Sequence, residues 1–161
     1  MIALSPWSED DLAILEACNT PKQKKYLGGP ETRERLLKRN RDYALIVIPG
    51  ETRMFRIDDE GEPAGSIGYW QKDWQGKIIY ETGWAVVPEF QGRGIALAAT
   101  LALIAVLKPE ARHPHLHAFP APENLASNAI CRKTGFTFLG EVAFEFPPGH
   151  TMRCNDWRLE L

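Results

Sequence analysis

The segment `QGRGIA`, Gln91 to Ala96, sits directly ahead of a run, Ile95 to Leu107, that carries no charge. A helix N-terminus exposes unpaired N–H groups and a partial positive charge, and phosphate binds there readily. Glycine admits positive φ and lets a ligand approach the backbone closely. Arg93 adds a permanent cation with a planar donor fork. The local chemistry therefore favours a pyrophosphate-like anion. On these six residues alone, an ordinary tight turn before a helix is an equal alternative. The pattern GxxxxGK[ST] is absent. So is GxGxxG, because `GRGIAL` has alanine and leucine where the later glycine is required.

Other residues suit proton transfer. Glu81 lies in `KIIYETGWAVV`, at even spacing with Gly83 and Ala85. Burial of a carboxylate in such a strand raises its pKa towards that of a general base; a salt bridge on a solvated sheet face is the competing reading. Glu145 alternates with Phe144 and Phe146 in `AFEFPPGH`, a pattern that favours an exposed residue over a base. In `HPHLH`, His113, His115 and His117 share one face if the segment is a strand, which resembles a metal site. The prolines break that regularity and no further ligand is evident, so no metal is expected. His117 as a base lining a cleft is the other option. The cysteines are Cys18, Cys131 and Cys154. Their odd number and spacing fit neither a metal site nor a redox pair, which implies reduced thiols.

The elements that must position these residues follow from pattern. `IALSPW` reads as a short strand closed by Pro6. Ser8 is placed as an N-cap, with Glu9, Asp10 and Asp11 behind it and a helix reaching Asn19. `YLGGPET` breaks the chain, and a solvated helix with a narrow apolar stripe follows from Glu31 to Asp42. `ALIVI` is a strand or an apolar lead-in. Thr52–Val87 is an antiparallel meander with turns at `DEGEP` and `KDWQG`. Ile95–Leu107 is a buried helix. `HPHLHAFPA` is a strand with prolines at its margins, and `ENLASNAICRKTGF` is a short helix capped by Asn124 and closed at Gly135. `TFLGEVAFEF` and `TMRCNDWRLEL` are the closing strands, joined by `PPGH`. Strands, helix, strand, helix, strands describe a mixed α/β sheet with a parallel crossover around the apolar helix.

The chain has 161 residues, 44% hydrophobic and 25% charged, with net charge −2. These values suit one soluble domain, 1–161. They give no basis for bulk attraction to nucleic acid. The longest apolar run is far short of the roughly 20 residues a membrane span needs. `MIALSPWSEDD` lacks the basic and apolar regions of a signal peptide. A cytoplasmic protein, monomer or homodimer, is expected, with no nucleic-acid or membrane partner.

Taken with its neighbours, Gln91 to Ala96 resembles a known loop. `Q-x-x-G-x-A`, preceded by `VVPEF`, is similar to the acyl-CoA pyrophosphate loop of the GNAT superfamily of acyl-CoA-dependent N-acetyltransferases. `N-x-x-S`, Asn124 to Ser127, followed by `CRKTGF`, resembles the family's later motif. `LSPWSEDDL` and `YLGGP` resemble its ribosomal-protein-N-acetyltransferase-like branch. The resemblance covers nearly the whole chain. It implies a single-domain α/β (α+β) fold: a mixed, mostly antiparallel sheet of about seven strands flanked by helices and splayed at the cofactor. It implies acetyl-CoA as co-substrate, no metal, and direct transfer to a primary amine of a small molecule or a peptide. Trp84, Ala85 and Val86 would hold the pantetheine arm. Gln91, Gly92, Arg93, Gly94, Ile95 and Ala96 would hold the pyrophosphate, with Leu97 at the margin and Asn124 on the far side. Glu81, or Glu145, would be the base. Many members carry a tyrosine four residues before the motif's glycine, as acid for the thiolate. Cys131 stands there and reads better as a packing residue. That departure makes Ser127 the expected acid and leaves a non-catalytic acyl-CoA-binding module as the alternative.

Overall fold

The structure is a computed structural model that describes residues 1–146 and 148–161; Pro147, in the `PPGH` connection, lies outside the described residues. Seven strands form one sheet: β1 (Ile2–Pro6), β2 (Thr52–Asp59), β3 (Glu62–Trp74), β4 (Lys77–Val86), β5 (His115–Ala118), β6 (Thr137–Glu145) and β7 (Thr151–Glu160). Their order is β1-β2-β3-β4-β5-β7-β6. Every pairing is antiparallel except β4 with β5. Five helices flank the sheet: α1 (Leu12–Cys18), α2 (Pro21–Lys24), α3 (Arg33–Leu45), α4 (Ile95–Leu107) and α5 (Leu125–Lys133).

The expected crossover is present: the apolar run becomes α4 and connects the two parallel strands. Charge is missing because this helix is a core element. Ala99, Leu103 and Leu107 are fully buried against Tyr69, Tyr80, Leu116 and Trp157. The only polar side chain in that row, Thr100, satisfies its hydroxyl by donating to Ala96 O at 2.7 Å. Strand residues alternate between faces. Trp70, Glu81, His117 and Asp156, one position from those core residues, therefore point away from α4. On that opposite face α1 and α3 cover only the β2–β4 end, through a smaller core of Trp7, Ile14, Leu15, Leu36 and Val87. The rest of that face is left for the site.

Several boundaries differ from the sequence pattern. Thr32, not a residue before Glu31, caps α3 by accepting from Arg35 N at 3.3 Å, so the helix starts at Arg33. Glu31 instead pairs with Arg39 at 2.6 Å. The helix runs on past Asp42 because Tyr43 packs edge-on to Trp7, with centroids 5.5 Å apart. `ALIVI` is thus not a strand: Ala44 and Leu45 end the helix, and Ile48 makes a lone bridge to Thr52. The `KDWQG` turn narrows to Gln75 and Gly76, both at positive φ (50° and 79°). Such a two-residue turn matches strand twist. It lets β3 extend to Trp74, which packs on Phe119 at 4.8 Å. Short α2 has no apolar periodicity; Thr20 caps it and Pro21 opens it. Among the described residues, no helix is long and apolar enough to cross a membrane.

Candidate active site

The strands β4 and β5 pair only at Tyr80↔Leu116 and Glu81↔His117. Beyond that point β4 continues to Val86, whereas β5 ends at Ala118. The sheet is parted there, and one edge of β4 faces open space. Val87 N bonds to Ala64 O at 2.8 Å on the β3 side. By antiparallel alternation, the backbone groups of Trp84 and Val86 turn into the gap. Ala85 turns the other way; its carbonyl approaches Gly65 so closely that a Cβ there would lie 2.1 Å from it. Of the three strand-end residues expected to hold a ligand by their backbone, two are so oriented and Ala85 is not. Val86 O is shared by two amides, Gln23 Nε2 at 3.0 Å and Gln91 Nε2 at 3.1 Å. Gln91 thus ties the loop to the strand end. The other atom of the Gln23 amide, Oε1, is buried with no partner among the described residues.

The loop crosses the end of the gap. Gly92 and Gly94 adopt left-handed φ of 79° and 74°. No side-chain cap covers the start of α4. Among the described residues, the N–H groups from Gly92 to Leu97 have no hydrogen-bond acceptor within the chain. They form a row of donors at the positive end of a buried helix. Arg93 is folded back: its Nη2 donates to Glu89 O at 3.1 Å and its guanidinium lies over the Phe90 ring. The cradle is therefore built from backbone, with Arg93 at its edge.

Across the gap stands α5. Asn124 Oδ1 accepts from Ser127 N at 3.2 Å, so Asn124 is the N-cap. The Ser127 hydroxyl has no partner among the described residues. The signal that sequence reading missed here is Asn128. Its amide donates to Ala121 O and Asn124 O, and accepts from Asn155 Nδ2 and Trp157 Nε1, both at 2.8 Å. The last two bonds fix α5 against β7, and the first two close the turn that leads into α5. Cys131 is fully buried, and burial pushes its thiol up to about 12. It is a packing residue.

Glu81 lies on the open face beside the gap. Trp70 Nε1 donates to its Oε1 at 3.1 Å. The indole fits because position 83 is glycine; a Cβ there would meet the tip of the ring at 3.1 Å. Burial raises the Glu81 pKa to about 7, against the Lys72 charge and the Trp70 bond, which lower it. Glu145 is not brought there. It is exposed at the end of β6, an edge strand separated from β4 by β5 and β7. Phe144, one residue earlier, takes the open face against Trp74 and Phe119, so Glu145 faces the other way. The histidines do not converge either: His113 meets Gln71, His115 meets Glu160, and His117 meets Asp156. Among the described residues, no His/Cys/Asp/Glu group could hold a metal ion. A cavity of about 440 Å³ opens beside this face. Its walls come from both segments flagged by sequence, `YLGGP` (Tyr26, Gly28) and `PPGH` (His150), with Lys25, Ala121, Glu123, Met152 and Arg153. Tyr26 joins them by donating to Glu123 O at 3.3 Å.

A family model described as Acetyltransferase (GNAT) domain matches residues 2–137. The chain belongs to the GNAT acetyltransferase family. A parted sheet, a backbone donor cradle and a facing capped helix are what that membership requires for acetyl transfer from acetyl-CoA to an amine. No curated protein matches the chain by sequence. Solved structures show the same fold. One is an acetyl transferase from Salmonella typhimurium that modifies the N-terminal serine of 50S ribosomal subunit protein L7/L12 (20% identity, TM-score 0.79, 99% of this chain and 95% of that one). Another is an aminoglycoside acetyltransferase in complex with coenzyme A (20%, 0.76, 99% and 95%). A third is the microcin C7 self-immunity acetyltransferase in complex with acetyl-CoA and AMP (18%, 0.80, 99% and 92%).

This GNAT site yields two checks. Gly94→Val places a β-branched side chain at a φ of 74° at the head of the cradle, a conformation such residues avoid. Acetyl-CoA affinity by calorimetry is expected to fall at least tenfold, and unchanged affinity would remove Gly94 from the cradle. Glu81 has a folded pKa raised above its unfolded value, so its ionisation opposes folding between about pH 4 and 7. Glu81→Gln is thus expected to melt above wild type at pH 8, with the difference shrinking as pH falls towards 4. An equal Tm difference at both pH values would show that Glu81 titrates normally.

Proposed function

We propose that residues 1–161 form one acetyltransferase domain, in which a primary amine entering through the Lys25–Arg153 cavity attacks acetyl-CoA held in the β4–β5 gap. What carries this reading is the juxtaposition of a donor cradle at Gly92–Leu97 with a carboxylate, Glu81, raised to about 7. The cradle N–H groups bind the pyrophosphate. The Trp84 and Val86 backbone, with Gln23 Oε1 and Asn124, supplies polar partners for the pantetheine amides. Glu81 takes the amine proton, directly or through a water, as nitrogen bonds the acetyl carbon. Backbone N–H groups at the strand end stabilise the oxyanion. As the C–S bond breaks, the Ser127 hydroxyl gives its proton to the thiolate and recovers one from water in the cleft. Cys131 does not replace it, because its fully buried thiol is held protonated by its surroundings.

Transfer is direct. Cys18, Cys131 and Cys154 are all buried, and burial raises each thiol, Cys131 to about 12 and Cys154 to about 11. None offers the thiolate that a covalent acyl-enzyme needs. Three reduced, buried thiols and a net charge of −2 support a cytoplasmic enzyme with no nucleic-acid or membrane partner. The site lies within one chain, so monomer and homodimer serve it equally. The acceptor is the amine of a small molecule or of a peptide or protein. The cavity mouth carries Lys25 and Arg153 as well as Glu123, so the rest of the acceptor meets charge of both signs.

The test is release of free thiol from acetyl-CoA with a panel of amines: peptide N-termini, lysine, polyamines, amino acids and aminoglycosides. Turnover is expected with at least one, and kcat/KM is expected to rise with pH through about 7 as Glu81 ionises. Binding of acetyl-CoA without turnover would reduce the chain to an acyl-CoA-binding module. Glu81→Gln and Ser127→Ala are expected to lower kcat by about 10²-fold or more with acetyl-CoA affinity nearly intact. An unchanged kcat in either variant removes that residue from its role.

A further inference from the structure

Glu81 takes up one proton in each turnover and must lose it before the next. Glu81 is only partly exposed, and Trp70 Nε1 occupies one of its oxygens. On the same face, one strand over, stands a group that the chemistry above does not use. His117 and Asp156 are nearly inaccessible, at 4% and 3% exposure. His117 Nδ1 lies 2.6 Å from Asp156 Oδ1. Trp74 Nε1 donates to the other oxygen of Asp156 at 3.4 Å. The imidazole stacks on Phe119, with centroids 5.6 Å apart and planes 16° apart. Burying a charged or polar pair seldom stabilises a fold relative to apolar packing.

The register makes this pair relevant. Glu81↔His117 is the last contact of β4 with β5 before the sheet parts. Neighbouring strands are about 4.8 Å apart, and side chains in register share a face, so the carboxylate and the imidazole are within reach of one bridging water. Asp156 accepts from Nδ1–H. That bond selects the tautomer whose Nε2 holds a free lone pair. Nε2 has no protein partner among the described residues. The field of Glu81 extends across β5 to Cys154 on β7, where it helps to hold the thiol proton. The other charged or titratable groups facing the pair are Lys72 on β3, His115 on β5, at 6.3 Å from His117, and Arg158, the β7 register partner of His117.

We propose that His117, oriented by Asp156, relays the acceptor's proton from Glu81 to solvent. This rests on Glu81 being the base. The proton leaves the amine for the Glu81 carboxylate, passes to His117 Nε2 to give an imidazolium paired with Asp156, and leaves to water in the cleft. The charge on each group returns to its starting value after every turnover. His117 acts through Glu81 and touches neither substrate.

The experiment uses the intact chain, acetyl-CoA and the best amine from the panel, at pH 8. His117→Asn keeps an amide N–H for Asp156 but cannot carry a proton. It is expected to complete the first turnover at the wild-type rate, giving a burst of about one thiol per active site. Its steady-state rate is then expected to fall at least tenfold. Adding imidazole is expected to restore most of the steady-state rate of His117→Ala, whose cavity admits the ring. A steady-state rate for His117→Asn within twofold of wild type overturns the relay. So does an equal loss of first-turnover and steady-state rates with no imidazole rescue of His117→Ala, which is the signature of a merely structural pair. If His117→Asn does not fold, judged by melting and acetyl-CoA binding, the imidazole response of His117→Ala decides alone. Wild-type turnover by Glu81→Gln would instead defeat the assignment of the base and leave the relay with nothing to serve.

Discussion

The site depends on β4 and β5 parting after the Glu81–His117 pair. β5 cannot follow β4, because Pro114 and Pro120 bracket it and a proline has no N–H for the ladder. At its end the chain turns to β7 instead, where Pro120 O accepts from Asn155 N at 2.8 Å. β4 meanwhile stays paired with β3 along its whole length. One strand thus presents a bare edge inside a sheet, a state that backbone groups avoid unless water or a ligand meets them. A pantetheine arm, with its alternating amide donors and acceptors, is chemically suited to that edge.

The opening persists because rigid parts hold it from both sides. On one side α4 is packed by Ala99, Leu103 and Leu107 into the core, so its N-terminal donors sit on a fixed post. On the other, Asn128 ties α5 to β7 by accepting from Asn155 and Trp157. Gln23 and Gln91 reach Val86 O from two segments, which links α2 and the glycine loop to the strand end. The conformations of Gly92 and Gly94 supply the bend between strand and helix. Arg93 braces the loop from its edge by bonding Glu89 O and lying over Phe90.

The open face of the sheet is electrostatically organised by indoles. Trp70 holds Glu81 and Trp74 holds Asp156. Asp156 also meets His117, whereas Trp70 is the one side-chain partner of Glu81 among the described residues. Desolvation lifts Glu81 into the neutral range, and Lys72 moderates the rise. Family membership accounts for the cradle and the gap.

Periodicity and composition alone determined the crossover helix, the hairpin meander and the Asn124 cap. Each depends on nearby residues: an uncharged run, a glycine turn, an asparagine ahead of a short helix. The glycine loop was ambiguous by itself and became legible through its resemblance together with `N-x-x-S…GF`. What only the tertiary structure decided lies across strands. Sequence pattern kept both Glu81 and Glu145 as candidate bases, with Glu145 the weaker of the two. Strand order separated them, because β6 lies beyond β5 and β7 and alternation turns Glu145 to the other face. Ala85 lies between Trp84 and Val86 in sequence, but its carbonyl faces β3. Asp156 carries no local signal, since only the β5–β7 register places it against His117. Burial and cross-strand pairing are properties of distant residues brought together, and no short window of sequence contains them.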